Sequence, residues 1–245
     1  MYEIACVVDE GIGCHGNDDR AMVCGVVITE GEYFANSDYV FAAICDGVGG
    51  ELYGDLAANA VANILAETDV SNLTIAKLSE VLADANTEVL SRQKTSPEHR
   101  KMATTVAGIY INGEDYIVFN AGDTRVYRFR PPFIAQLSTD HTLIAELKEL
   151  GLETKPEQEH VITKYLGKPN VVPDVEEGKG KVFDIDSFLI CSDGVTDVLS
   201  EAEIEEMMGN NCSAKEICWS FIEKAIEKGS NDNISAIVIR RVQNG

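Results

Sequence analysis

A chain of 245 residues, 45% hydrophobic and 25% charged, can bury a substantial core and is expected to form one domain. Its formal net charge of −21 argues against a nucleic-acid partner, which needs a basic footprint, and against anionic membrane surfaces. Seven cysteines without a C-x-x-C spacing, several inside apolar runs, argue against a zinc or disulfide framework and for a reducing compartment.

The opening Met1-Tyr2-Glu3-Ile4 lacks a basic leader, and no apolar stretch approaches the roughly 20 residues of a membrane span, so a cytoplasmic location is expected. Glu3 to Val8 reads as a strand. Gly11-Ile12-Gly13-Cys14-His15-Gly16 after it has dinucleotide-loop spacing, but Asn17-Asp18-Asp19 follows where carboxylates would repel a pyrophosphate. Met22 to Ile28 and Tyr39 to Cys45 read as strands joined by a polar turn from Thr29 to Asp38. Two helices follow, Glu51 to Glu67 with a stripe of small apolar residues and Thr74 to Lys94 with apolar residues at helical spacing. Pro97 marks a loop. Thr104 to Ile111 and Tyr116 to Asn120 flank Asn112-Gly113, a strong hairpin signal, and Arg125 to Phe129 with Ile134 to Leu137 completes the predicted meander.

Thr142 to Leu150 reads as a short helix ended by Gly151, and Leu152 to Val182 as an excursion with little regular structure. Ser187 to Cys191 is an apolar strand that ends in Ser192-Asp193-Gly194. Two helices then open on S-x-x-E capping boxes, Ser200 with Glu203 and Ser213 with Glu216. Asn231-Asp232-Asn233 leads into a last strand, Ile234 to Ile239. This order lacks regular strand–helix alternation and predicts antiparallel sheets covered by helices rather than a parallel doubly wound fold.

The chemistry concentrates in acidic turns. Val40 to Cys45 is a continuous apolar run that ends in Asp46-Gly47-Val48-Gly49-Gly50, and a carboxylate there is costly unless its charge is compensated. A divalent cation is one partner for it; a tight strand-to-helix turn with Asp46 as an exposed cap is the other reading. Asp18-Asp19, Gly122-Asp123, Asp193-Gly194 and Asp232-Asn233 follow the same grammar. Convergence of these turns would make an oxygen-only site without imidazole, which selects magnesium or manganese over zinc. Two such ions about 4 Å apart activate a water and clamp an in-line displacement at phosphorus. That chemistry needs no side-chain nucleophile, and neither G-x-S-x-G nor H-E-x-x-H occurs.

Taken in order, Asn17-Asp18-Asp19, Asp46-Gly47-Val48-Gly49-Gly50, Thr104-Thr105, Gly122-Asp123-Thr124-Arg125, Ser192-Asp193-Gly194 and Asp232-Asn233 resemble the motifs of the metal-dependent Ser/Thr protein phosphatases (PPM, or type 2C, family), bacterial branch. The resemblance runs from Asp9 to Ile239. It implies an α+β fold, a four-layer α-β-β-α sandwich of two mainly antiparallel sheets flanked by helices, forming a single domain over residues 1–245 with a flap at about 141–167. The implied reaction is hydrolysis of phosphoserine or phosphothreonine on proteins by a hydroxide bridging two Mn²⁺ or Mg²⁺ ions. Asp46 would bridge the ions, the carbonyl of Gly47 would ligate the second, and Asp193 and Asp232 would complete the first. Asp123 with Asp193 would form a third-metal site, and Asp18 and Asp19 would act through metal-bound waters. Asn233 would support Asp232, and Thr104-Thr105 would begin a core strand beside the site. The expected partner is a phosphorylated protein, paired with a Ser/Thr kinase, with no nucleic acid or membrane; the protein is expected to be a monomer.

Two positions depart from the family pattern. Cys14 stands where an Arg usually grips the substrate phosphate, and a thiol cannot make a guanidinium's bidentate contact. Arg20 and Lys164 are the candidates to replace it. A His often found after the Asp-Gly-x-Gly-Gly run is absent, with Glu51 nearby instead. These losses raise the alternative of a catalytically weak or inactive binding protein on the same fold. The acidic surface hints at basic phosphopeptides as substrates.

Overall fold

The apolar run that ends at Cys45 shows no alternation because both of its faces are buried. Val40, Ala42 and Ile44 point into the core between two sheets, while Phe41, Ala43 and Cys45 point into a second core beneath helices. The computed structural model describes residues 1–48, 53–155, 158, 160–178 and 180–242.

In chain order the strands β1 (Tyr2–Asp9), β2 (Arg20–Val23), β3 (Val26–Ile28), β4 (Gly31–Ser37), β5 (Tyr39–Cys45) and β6 (Gly47–Val48) precede helices α1 (Gly54–Ala66) and α2 (Ile75–Arg92). A 3₁₀ turn at Pro97–Lys101 leads to β7 (Ala103–Thr104), β8 (Val106–Asn112), β9 (Asp115–Ala121), β10 (Arg125–Arg130) and β11 (Phe133–Gln136). Then come α3 (Leu143–Glu149), β12 (Asp174–Glu177), β13 (Ser187–Cys191), α4 (Asp193–Thr196), α5 (Glu201–Met208), α6 (Ala214–Glu227) and β14 (Ile234–Arg241).

One sheet runs β11-β10-β13-β14-β1-β4 and the other β12-β9-β8-β5-β2-β3, with antiparallel ladders throughout. The sheets stack on a core that includes Ile4, Ile44, Ile109, Phe188 and Ile237. Helices α1 and α2 cover the second sheet, with Ala57, Ala58 and Val61 allowing close approach. Helices α5 and α6 cover the first, with Ile217, Phe221 and Ile222 buried. Each such aliphatic or aromatic side chain contributes roughly 1.5–3 kcal/mol through burial. The expected four-layer α-β-β-α sandwich is therefore what the chain adopts.

Both predicted capping boxes form: the Ser200 and Ser213 hydroxyls accept from the backbone N–H of Glu203 and Glu216, whose carboxylates reach back to the serine N–H groups. Thr74 and Thr142 cap α2 and α3 in the simpler way.

Several expectations are corrected. Met22 to Ile28 is two strands, since Cys24 and Gly25 take positive φ and reverse the chain between β2 and β3. The polar segment from Thr29 to Asp38 contains β4, an edge strand whose polarity reflects its solvent face. The predicted meander breaks at Gly122-Asp123: β8 and β9 lie in one sheet, β10 and β11 in the other. The excursion from Leu152 to Val182 includes β12, which adds to β9 at the edge of its sheet. Gly49, Gly50 and Glu51, where the first helix was expected to begin, lie outside the described residues. Among the described residues no helix is long and apolar enough to cross a membrane.

Candidate metal centre and active site

The strand registers bring the acidic turns to one edge. β5 ends at Cys45, opposite Arg20 at the start of β2, and β9 ends at Ala121, opposite Val106 at the start of β8. In the other sheet β13 ends at Cys191, opposite Arg125 at the start of β10, and β1 ends at Asp9, opposite Ile234 at the start of β14. Asp18, Asp46, Asp193 and Asp232 consequently line one cleft of about 670 Å³, together with Gly47 and Asn233. Asp123 lies in an adjoining cavity of about 330 Å³ that shares Asp193. Asp19, only 1% exposed, is buried behind them.

Backbone hydrogen bonds hold each carboxylate loop. The Asp46 carbonyl accepts from the Thr105 N–H (2.8 Å) and the Thr104 hydroxyl (2.9 Å), and the Asp46 N–H donates to the Thr105 hydroxyl (3.1 Å). Thr105 Oγ1 lies 2.6 Å from the buried Thr124 Oγ1. Thr104 also exchanges two backbone bonds with Leu166, at 3.1 and 2.9 Å, so the far end of the segment 141–167 is tied to the strand that clamps Asp46. The Asn233 side chain accepts from the Asp18 N–H (2.8 Å) and donates to the carbonyls of Glu10 (2.7 Å) and Gly16 (3.1 Å). Its backbone N–H donates to Asp232 Oδ1 (2.7 Å), so one residue ties the Asp18 loop to the Asp232 turn. Ser192, just before Asp193, exchanges bonds with Ser235 and draws the Asp193 and Asp232 turns together.

Sequence reasoning missed Gly54. A Cβ on Gly47 would stand 2.5 Å from the Gly54 carbonyl carbon and 2.8 Å from Asp18 Cβ, and one on Gly54 would stand 2.9 Å from Asp18 Oδ2. The first turn of α1 thus packs directly on the carboxylate loops, which only two facing glycines permit. The available signal was a lone Gly opening an Ala-rich helix.

The charges are mutually unfavourable. Burial, then Asp193, Asp19, Asp123 and Asp232 in turn, pushes Asp46 well above the ordinary carboxylate range. Burial and then Asp123 and Asp232 do the same to Asp193. Burial raises Asp19 to about 7 and Asp123 to about 6. Among the described residues Asp19 Oδ2 and Asp123 Oδ1 are buried without a hydrogen-bond partner. Buried acceptors of this kind fit a hard cation. No three His, Cys, Asp or Glu side chains among the described residues close into a ready metal cage. An open ring of carboxylates suits Mg²⁺ or Mn²⁺, which keep several waters, better than it suits zinc.

The two candidates for the phosphate-gripping cation are engaged elsewhere. Arg20 donates to the carbonyls of Asn17 and Asp19, both at 2.6 Å, and lies 3.7 Å from Asp55, so it braces the acidic loop. Lys164 Nζ lies 2.5 Å from Asp174 Oδ1, and His141 Nε2 lies 3.0 Å from Oδ2 of the same carboxylate, which ties both residues to the start of β12. Arg125 grips Asp140 through both carboxylate oxygens. Burial, then Asp232, Glu10 and Asp19, raises the pKa of the half-exposed Cys14 thiol and so favours its protonated form. Cys14→Arg is expected to lower the KM for an aryl phosphate several-fold, with manganese affinity by calorimetry nearly unchanged. An unchanged KM would show that another cation already holds the phosphate.

A ring of carboxylates at one edge of an α-β-β-α sandwich suits divalent-metal chemistry on phosphate esters. The protein phosphatase 2C family profile matches residues 32–226, and the chain belongs to that family. It is 26% identical over 246 aligned positions to serine/threonine phosphatase stp of Listeria innocua, covering 95% of this chain and 93% of that one. It is 28% identical over 217 positions to serine/threonine protein phosphatase PstP of Mycobacterium tuberculosis, covering 83% of this chain and 41% of that one. Among solved structures, the catalytic domain of PstP in complex with two manganese ions superposes with a TM-score of 0.83 at 26% identity, over 99% of this chain and all of that one.

Proposed function

We propose that this protein hydrolyses phosphoserine and phosphothreonine esters on proteins, using two divalent ions of the manganese or magnesium kind. The observation that carries this reading is the convergence of Asp18, Asp46, Asp193 and Asp232 on one cleft that no Lys or Arg among the described residues lines. The manganese ions in the related PstP structure support the same assignment. When bound, the ions supply Lewis acidity and a nucleophile drawn from water.

In this reading Asp46, its backbone held by Thr104 and Thr105, would serve both ions. The Gly47 carbonyl would serve the second ion, and Asp193 and Asp232 the first. Asp18 and Asp19 would act through water, and Asp123 with Asp193 would hold a third, weaker ion. Asn233 and Thr105 fix the loops. Residues 1–245 act as one catalytic unit, with the flap at 141–167 placing His160 and Ile162 on the wall of the cleft. The protein works as a cytoplasmic monomer opposite a Ser/Thr kinase. The inactive-binder alternative is not favoured, since each expected acidic position carries its carboxylate and the relatives are phosphatases. The test is phosphate release from a phosphothreonine peptide. Turnover is expected with Mn²⁺ and none after chelation; turnover unaffected by chelation would overturn the reading.

A further inference from the structure

We propose that Arg100 reads acidic residues flanking the phosphorylated side chain of the substrate; this rests on the protein-phosphatase reading above. A second cleft, of about 960 Å³, opens at Asp18 and Asp232 and extends past Cys14 and Tyr53 to Arg100 and Lys101. It is much larger than a phosphate group. Asp46, Gly47 and Asp193 are not in its walls, so its basic end lies beyond the reacting centre, along a path open to peptide.

Charge singles out this end. Arg100 and Lys101 stand in its walls beside one carboxylate, Glu98, whereas Arg92 is paired with Glu88 and, like Lys94, does not line the cleft. The acids on this wall are engaged: Glu98 accepts from the Tyr53 hydroxyl at 2.9 Å, and Asp55 faces Arg20. Arg100 is exposed and makes no hydrogen bond or ion pair among the described residues.

The basic turn is also held in place. Tyr53 has φ of 92°, which is strained for a residue with a side chain, and its ring packs edge-on against His99 at 4.5 Å. Tyr53 precedes Gly54, whose backbone touches Gly47, so the turn at Pro97–Lys101 is fixed relative to the metal loop. A pre-positioned cation recognises a fixed partner at lower entropic cost. Although Asp18, Asp55, Glu98 and Asp232 also line the groove, the end at Arg100 therefore favours an acidic flanking residue.

The test compares kcat/KM of the manganese-loaded protein on phosphothreonine peptides with acidic, neutral or basic flanks. Wild type is expected to prefer the acidic peptide by about tenfold, less at high salt. Arg100→Ala should remove the preference, Arg100→Lys should keep it, and Arg100→Glu should turn it toward basic flanks. Wild type without charge preference overturns the proposal. So does an equal loss on all three peptides, which would assign Arg100 to the phosphate itself. Aryl phosphate turnover by wild type separates the two levels. If it is absent, the underlying reading falls and this proposal with it; if it is present without discrimination among peptides, only this proposal falls.

Discussion

Asp46→Asn is expected to lower kcat for phosphate release by at least about 10³-fold, through loss of the charge that holds two cations together. The amide is nearly isosteric, and the backbone clamp from Thr104 and Thr105 does not depend on the side chain, so the fold should survive. The chelated variant should even melt higher than chelated wild type. Asp46 is surrounded by Asp193, Asp19, Asp123 and Asp232, and removing one buried like charge relieves the rest. Calorimetry should show weakened manganese uptake. The informative combination is activity lost while chelated stability rises; a variant that loses both would mean the carboxylate holds the fold rather than the ions.

The second large effect links pH, metal and stability. Asp19 and Asp123 rise from 3.8 to about 7 and about 6, and Asp46 and Asp193 rise well above 3.8. The folded chain therefore binds more protons than the unfolded one in this range. Stability from these groups is fully present below about pH 4 and is lost as pH rises through their folded values. Divalent cations replace those protons. The gap in Tm between manganese-loaded and chelated protein should widen steadily from about pH 5 to about pH 8. At an ion concentration about 100 times Kd, binding adds about 2.7 kcal/mol, or about 5–10 °C for a chain of this size. A gap that narrows as pH rises would contradict the assignment of these carboxylates to the cations.

Much of this architecture was legible in the residues. Val40 to Cys45 read as a buried strand because both faces are apolar, and Ser200/Glu203 and Ser213/Glu216 announced their helices because a capping box is a local interaction. Features set by distant partners were not legible. β4 alternates too weakly to show that it pairs with β1, and β12 has no signal apart from the free edge of β9. The turn at Gly122-Asp123 looks like any hairpin turn, yet it carries the chain from one sheet to the other. Around the site the acidic positions stood out by their spacing. What occupies Arg20 and Lys164 did not, because a cation's partner is chosen by tertiary geometry. The resemblance marked Asn233 as a support for Asp232 but not as the clasp between two loops more than 200 residues apart.

β1 and β14 lie side by side within one sheet, paired from Tyr2 with Arg241 to Asp9 with Ile234. On the ribosome, β1 can pair with β4 soon after both emerge, but its other neighbour, β14, follows only after the remaining strands and helices, a long-range closure that slows folding. Asp232 arrives with that final strand. A half-made chain consequently has neither a completed sheet nor a full set of acidic groups, and dephosphorylation is withheld until translation has passed this segment.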